Sequence, residues 1–401
     1  MSSNMSMNQG ILSGLRILDF TWVLAGPYAT RILADFGAEV IKIQSKRISR
    51  DAESNLTGYF SAWNRNKRSI TLDMTHPEAK TIIRKLAEKS DVVAENFSPR
   101  VMENWGLDYK ALKDMNSRLI MVSLSAMGET GPWKDFVGFG PTIQALSGFT
   151  YLSSFSKDSP SGVGYAYADT IAGLFAAFAI LSALEYRDRT GRGQHIDVSE
   201  YESMCTLIGP AFMDVFVNRK EILPQGNCSD YILAAPHGCY PCSGTDRWCV
   251  IAVFDEGEWE ALCRAMGEPL WTREEKFSSL SERKKNSKEL DELIEQWTAL
   301  RTCEEIVELL QEAGVSAGVV QNGKDLAKDP HLRARDFFSP LEHPVLGRTI
   351  SDSTPIRFKD TPKVNWEAAP LFGEDNHSVY VDLLGLTEDE LSFYIEKGVI
   401  G

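Results

Sequence analysis

An α/β fold, with a largely parallel sheet and a smaller α+β domain, is predicted by three observations. Strand-like and helix-like runs alternate through about the first 200 residues, which implies a parallel sheet covered on both faces. The first strand-helix-strand unit takes about thirty residues, the length such a unit needs. After about Pro210 the composition shifts, and residues 226–244 are rich in Pro, Gly and Cys. The 401-residue length suits two or three domains, or one large domain carrying a smaller one. The expected layout is a large domain over 1–210, a linker and small domain over 211–324, and a return segment over 325–401.

The elements follow in order. Leu15–Thr21 (LRILDFT) reads as a buried strand. Gly26-Pro27 opens a helix to about Phe36, since Pro is tolerated in a first turn, and Gly37 stops it. Glu39–Ile43 is the next strand, and Arg68–Met74 is another β-rich run. Thr75 is positioned to cap a helix with Pro77 in its first turn. Ala79, Ile82, Ile83, Leu86 and Ala87 then share one face at helical spacing. Asp91–Glu95 and Arg118–Ser123 are further strands, and a long apolar helix runs from about Asp169 to Asp188 until TGRG breaks it. Its apolar run, Ile171–Leu184, is shorter than the ~20 residues of a membrane span, and a buried core helix is expected. Gln194–Val198 is a short strand before another helix. In the smaller domain, Trp248–Val253 and Val315–Val320 read as strands, and a helix starts near Glu258. Glu282–Asn286 reads as a charged loop, and Thr302 with Glu305 forms a capping box. Polar loops are expected from Asp325, then a terminal helix near Thr387–Glu396.

Bulk properties exclude several functions. The net charge of −14 opposes general nucleic-acid binding and docking on an anionic membrane. The start, MSSNMSMNQG, has no apolar signal region. Seven irregularly spaced Cys do not form a disulfide framework, so reduced thiols and a cytoplasmic location are expected. Cys239 and Cys242 form a CxxC pair with Cys228 and Cys249 nearby, but the second CxxC or His pair of a zinc site is missing. The turn after the first strand, TWVLAGPYAT, lacks GxGxxG, and a P-loop is also absent. Ser125 and Ser199 lack the context of a nucleophile elbow. The six His show no metal spacing.

Asp169 begins the long apolar helix in YADTIAGLF. Position alone favours a capping role. The same position also stabilises an anion, by ~0.3–1 kcal/mol when exposed, and an ionised carboxylate there is able to attack an acyl carbon. Lys42, Lys46, Arg47, Arg50, Arg65, Lys67, Arg68 and Arg100 form a basic cluster that serves either as a phosphate site or as a solvated face. His237 lies in the Gly- and Cys-rich loop, where a surface role is the plainer reading.

Several segments together resemble the class III CoA-transferase family, the group containing formyl-CoA and carnitine CoA-transferases. They are ILDFTWVLAGPYATRILADFGAEVIKI, NRNKRSITLDM, DVVAENFSPRVMENWGLDY, YADTIAGLFAAFAILSALEYRDRTGRGQHIDVS, GVSAGVVQNGKDLAKDPHLRARDFF and APLFGEDN, in family order across nearly the whole chain. The resemblance implies a Rossmann-like large domain whose sheet is built from both chain ends, an inserted small domain, and an interlocked dimer. It implies that Asp169 is the catalytic aspartate. No tightly bound cofactor is expected, with coenzyme A and acyl-CoA as substrates.

The family's CoA site maps onto Val23, Leu72, Asn96, Phe97 and Val101, with Arg100 as a phosphate contact. Relatives carry Arg where this chain has Ser45 and Asn104, and Lys where it has Thr75; Lys46 and Arg47 are the substitutes expected for the first. Trp22, Leu24 and Phe139 are apolar candidates for the acid pocket, with His237 and Gly238 of HGCYPCSG, which occupies the general region of the family's missing glycine run. Formyl-CoA transferase has Gln at the Leu24 position, so an acid larger than oxalate or formate is expected.

The reading is a CoA-transferase working through an aspartyl anhydride and an aspartyl-CoA thioester, with succinyl-CoA a candidate donor. One alternative is an α-methylacyl-CoA racemase, but the segment where racemases carry a His reads GFGPTIQALSG. Another is one subunit of a heteromeric CoA-transferase, as in the benzylsuccinate type.

Overall fold

The structure is a computed structural model and describes residues 10–46, 54–224, 226 and 233–401. Arg47, Arg50 and Cys228 lie outside the described residues. The chain divides into two compact units. One comprises Met1–Thr150, Gly162–Ile222 and Ala334–Gly401; the other comprises Tyr151–Ser161 and Leu223–Arg333.

In the first unit, β1 (Arg16–Asp19) leads into α1 (Ala25–Asp35), which Gly37 ends at φ +100°. There follow β2 (Glu39–Gln44), α2 (Gly58–Asn64), β3 (Lys67–Thr71) and α3 (Pro77–Glu88). The five residues expected on one face of α3 are all buried. Its cap position is held by His76 rather than Thr75, whose backbone N–H and hydroxyl donate to Asp73. β4 (Val92–Glu95), α4 (Val101–Asn104), α5 (Tyr109–Met115) and β5 (Ile120–Ser125) come next. Then come α6 (Gly140–Leu146), the single turn α7 (Phe149–Leu152), α8 (Tyr167–Thr190), β6 (His195–Ser199), α9 (Glu200–Leu207) and α10 (Gly209–Met213). α8 ends where Gly191, at φ +75°, donates its N–H to the Arg187 carbonyl.

The six strands form one parallel sheet in the order β3-β2-β1-β4-β5-β6. The order reverses between β1 and β4, and ligands of open α/β sheets bind at the carboxyl ends of the strands at such a reversal. Apolar side chains alternate between the two faces as a buried sheet requires. Ile17, Val40, Val92, Ala94, Ile120 and Val122 pack under α1 and α8. Leu18, Ile41, Ile70, Val93 and Met121 pack under α3 and the last segment of the chain.

The second unit contains β7 (His237–Pro241), β8 (Trp248–Ala252) and β9 (Ser316–Val319) as an antiparallel sheet in that order. Its helices are α11 (Glu256–Ala265), α12 (Leu280–Lys285), α13 (Ser287–Thr298), α14 (Cys303–Glu312), α15 (Gly323–Leu326) and α16 (Pro330–Ala334). The Thr302–Glu305 capping box forms as the sequence predicts. The expected loop at Glu282–Asn286 is instead mostly α12. Arg283 is fully buried there, donates to Glu256 and to the Ala235 carbonyl, and lies 4.7 Å from the Trp259 ring centre. Cys242, Cys249 and Cys303 are buried in this unit's core, and no metal-holding group of side chains exists among the described residues.

The return segment forms a hairpin, β10 (Phe338–His343) and β11 (Gly347–Asp352), where polar loops were expected, and ends with α17 (Glu388–Glu396). The sheet is therefore not built from both chain ends. All six parallel strands lie between Arg16 and Ser199, and the return segment supplies a covering layer, with Val379, Tyr380, Val399 and Ile400 fully buried against one face.

Candidate active site

Arg187, near the end of α8, donates to Asp91 at 2.9 Å, and Asp91 precedes β4. α8 thus runs back along the sheet, and its first turn lies at the carboxyl ends of the strands. Asp169 occupies that turn. It is not the capping residue, because the cap position is Ala166. Gly173, one turn further on the same face, sits against α1: a Cβ there would lie 2.7 Å from the Ala25 carbonyl and 3.1 Å from the Tyr28 ring. This close approach brings the Asp169 face of α8 towards the β1–α1 turn.

That turn carries three of the predicted residues. Trp22 exchanges two hydrogen bonds with Asn96: its N–H donates to the Asn96 Oδ1, and its carbonyl accepts from Nδ2, both at 2.9 Å. The pair clasps the end of β1 to the end of β4, at the reversal of strand order. Val23 has φ +63°, a region that a β-branched residue enters only under strain. Leu24 is buried. Beneath the turn, Lys67 Nζ lies 3.0 Å from Asp19 Oδ2, both side chains fully buried, and also donates to the Pro27 carbonyl and Asn64. Lys42 Nζ donates to the Thr21 carbonyl at 2.6 Å. Burial pushes the Asp19 pKa up, but Lys67, Lys42 and Thr21 outweigh it and hold the carboxyl below its usual value.

Phe20, Trp22, Lys42, Gln44, Leu72 and Phe97 line a crevice over the ends of β1, β2 and β3. Of the expected coenzyme A contacts, Leu72 and Phe97 meet here; Val23 and Asn96 do not line the crevice but are the chain neighbours of Trp22 and Phe97, which do. Arg100 does not join them. It pairs with Asp135 at 3.0 Å and lines a second cleft with Glu95, Tyr109, Glu129 and His195. In that cleft, burial pushes the Glu95 carboxyl up to about 7. Val101 is half-buried on α4, Asn104 is exposed one turn later, and Lys46 is exposed just past β2. The described members of the basic cluster do not share one environment. Lys42, Arg65 and Lys67 are buried and neutralised within the protein, and Arg68 pairs with Glu39 and Asp375. His237 and Gly238 begin β7 in the second unit.

Around Asp169 the first turns of α6 and α9 gather. Phe139, half exposed, precedes α6, and a Cβ on Gly140 would lie 2.3 Å from the Asp169 Oδ2. Ile143 of α6, Ala168 of α8 and Met204 of α9 form a small shared core. The Asp169 Oδ2 is buried and has no hydrogen-bond partner. Burial pushes this carboxyl up to about 6, with its own backbone N–H pulling the other way. The result is a carboxylate whose charged form is poorly solvated.

Sequence reasoning missed Glu200, the first residue of α9. It is 8 % exposed. Burial pushes it up to about 8, and the negative charge of Asp169 adds to the rise. Ser199 caps α9 by accepting from the Glu202 N–H, so SEYE reads as an ordinary acidic helix start, and no signal in it reveals the burial.

The sequence model of CoA-transferase family III matches residues 12–376. The chain is 34 % identical over 397 residues to a succinyl-CoA–D-citramalate CoA-transferase of Chloroflexus aurantiacus, covering 97 % of this chain and 98 % of that one. It is 33 % identical over 401 residues to the alpha subunit of a succinyl-CoA–L-malate CoA-transferase of Chloroflexus aurantiacus, covering 97 % and 92 %. Among solved structures, a CAIB/BAIF family protein from Brucella suis superposes with a TM-score of 0.85 at 31 % identity, over 94 % of this chain and all of that one.

Proposed function

The chain belongs to CoA-transferase family III, and from that premise we propose that it moves coenzyme A from an acyl-CoA to a free carboxylic acid, with Asp169 as the nucleophile. The observation that carries this reading is the unpartnered, half-desolvated Asp169 oxygen at the carboxyl edge of the sheet. Succinyl-CoA is the first donor to test, because both relatives named above are succinyl-CoA enzymes.

In the first step the Asp169 carboxylate attacks the donor thioester carbonyl. The C–S bond breaks, leaving an aspartyl anhydride and the CoA thiolate. The thiolate then attacks the Asp169 carbonyl of the anhydride, which releases the donor acid and leaves an aspartyl-CoA thioester. The acceptor carboxylate attacks that thioester, giving a second anhydride and thiolate. The thiolate takes the acceptor acyl group and restores Asp169. No proton is consumed overall. Each addition passes through an oxyanion that needs hydrogen-bond donors, and backbone N–H groups at the α8 start serve that need. The crevice at Trp22, Leu72 and Phe97 is the proposed seat for the pantetheine end of CoA, and Leu24 and Phe139 are the proposed walls for the acid.

α8 is apolar on two sides. Ala172, Ala176, Ile180 and Ala183 face the core, whereas Leu174, Phe175, Phe178 and Leu181 are exposed, as are Phe212, Met213, Phe216 and Val217 beyond α9. The expectation of a buried core helix holds for one face only. Length and composition alone would let α8 cross a membrane; we assign its outer face instead to a second chain in a dimer, either this chain again or a related subunit. The described cysteines are free thiols, which suits a cytoplasmic enzyme.

The test is a panel of acyl-CoA donors and acids, with Asp169→Ala beside the native enzyme. Exchange is expected to fall by at least about 10³-fold while CoA still binds. Native turnover in that variant would refute the nucleophile, and α-proton washout in deuterated water would indicate racemase chemistry instead.

A further inference from the structure

Glu200 is the one buried acid near Asp169 to which the scheme above gives no task. Its side chain is nine-tenths buried at the start of α9. It makes no hydrogen bond or ion pair with any described residue, and among those residues the charge that acts on it is that of Asp169. The placement follows from the packing of three helices. α9 lies against α8 and α6, and Met204, one turn beyond Glu200, shares a core with Ala168, the neighbour of Asp169. α6 brings no titratable side chain to this junction. β6 brings His195 and Asp197, but His195 contacts Ser123 and Glu129, and Asp197 accepts from the Glu129 N–H. On α9 itself, Tyr201 and Glu202 flank Glu200, and Ser199 accepts from the Glu202 N–H.

We propose that Glu200 is a positioning residue of the transfer reaction: it stays protonated beside Asp169, so that the nucleophile is the only negative charge at the three-helix junction and anions are admitted to it. This rests on Asp169 being the nucleophile. The physical reason is that two carboxylates in one poorly solvated site cannot both ionise at ordinary cost, so one keeps the proton. Glu200 is the more deeply buried of the two, and no cation among the described residues pairs with it. Each turnover brings two anions against Asp169, a returning thiolate and an acceptor carboxylate. A neutral Glu200 does not oppose them, whereas an ionised one does. The Glu200 carboxyl is pushed up to about 8, which locates the change just above neutrality.

Two measurements on the full-length protein test this. The first needs no turnover. Infrared difference spectra recorded from pH 6 to pH 10 are expected to show a protonated carboxyl band that persists at pH 7, disappears on further alkalinisation, and is absent in Glu200→Gln. In Asp169→Asn the same band is expected to titrate at lower pH, because the charge that opposes Glu200 ionisation is gone. A native protein with no such band at pH 7, or a band unmoved by Asp169→Asn, overturns the proposal whether or not CoA transfer is observed. The second is the pH profile of kcat/KM with a reactive donor and acid pair. From pH 7 to pH 9 the native enzyme is expected to lose about tenfold relative to Glu200→Gln, as expected for one group titrating near pH 8. Parallel profiles of the two proteins overturn the proposal, since a purely structural glutamate would lower both ends of the profile together. Failure of every donor and acid pair would refute the transferase reading and leave the infrared result to stand alone.

Discussion

The nucleophilic role proposed for Asp169 rests on where its charge is held. A carboxylate pushed up to about 6 by burial is protonated below that pH and cannot attack a thioester. The sign is therefore fixed: kcat/KM is expected to fall as pH drops through about 6, tenfold per unit, in initial-rate measurements with a donor that does not itself titrate there. A flat profile down to pH 5 would mean that another group carries the chemistry. In the sequence, position alone favoured a cap for this residue and only the family resemblance of YADTIAGLF pointed to a catalytic role; the cause of its raised pKa was not legible there. Desolvation is produced by Gly140, Ala168 and α9, which lie 29 residues before, one before and about 31 after it, and only folding brings them together.

Among the elements, α6 shows how a backbone sets a side chain. Gly140 leaves space that the Asp169 Oδ2 occupies, because any Cβ there would lie 2.3 Å away. Gly140→Ala is expected to displace the carboxylate and cut kcat about 10²-fold while the thermal midpoint moves by only a few degrees. Comparable kcat in calorimetrically matched samples would contradict that. The strong periodic elements were readable for a clear reason: β1 to β6 and α3 are dictated by local apolar patterns that the sheet and its helices satisfy directly. α12 and the β10–β11 hairpin were not, since their stabilising groups are polar. Arg283 anchors α12 through Glu256 and the Ala235 carbonyl, and the hairpin alternates Ser, Glu, Arg and Thr with few apolar residues.

On the scale of the first unit, the chain is tied across long separations by buried ions. Arg65 is fully buried and pairs with Asp35 at 2.7 Å and with Asp352 of β11 at 3.0 Å, while Arg31 reaches the same Asp352 at 2.9 Å. Its guanidinium lies 4.1 Å from the Trp366 ring centre. Removing one partner of such a cluster strands the other charges, at a cost of about 3–5 kcal/mol. Arg65→Ala is expected to lower the unfolding free energy by that amount in urea titrations and to loosen the hairpin to proteolysis. Denaturation curves that coincide with the native protein would refute it. In the sequence these cations resembled an anion site, because a one-dimensional reading sees the cluster of positive charges but not the Asp19, Asp35 and Asp352 that fold against it.

Val23 keeps a left-handed backbone in a turn whose neighbours are held by the Asn96 amide at Trp22 and by the Asp19–Lys67 pair. A strained residue in such a place costs on the order of 1–3 kcal/mol. Laboratory selection for heat tolerance is therefore expected to accumulate Asn or Gly at codon 23, residues at ease in that conformation. The survivors should gain a higher thermal midpoint while the loop beside the crevice keeps its shape.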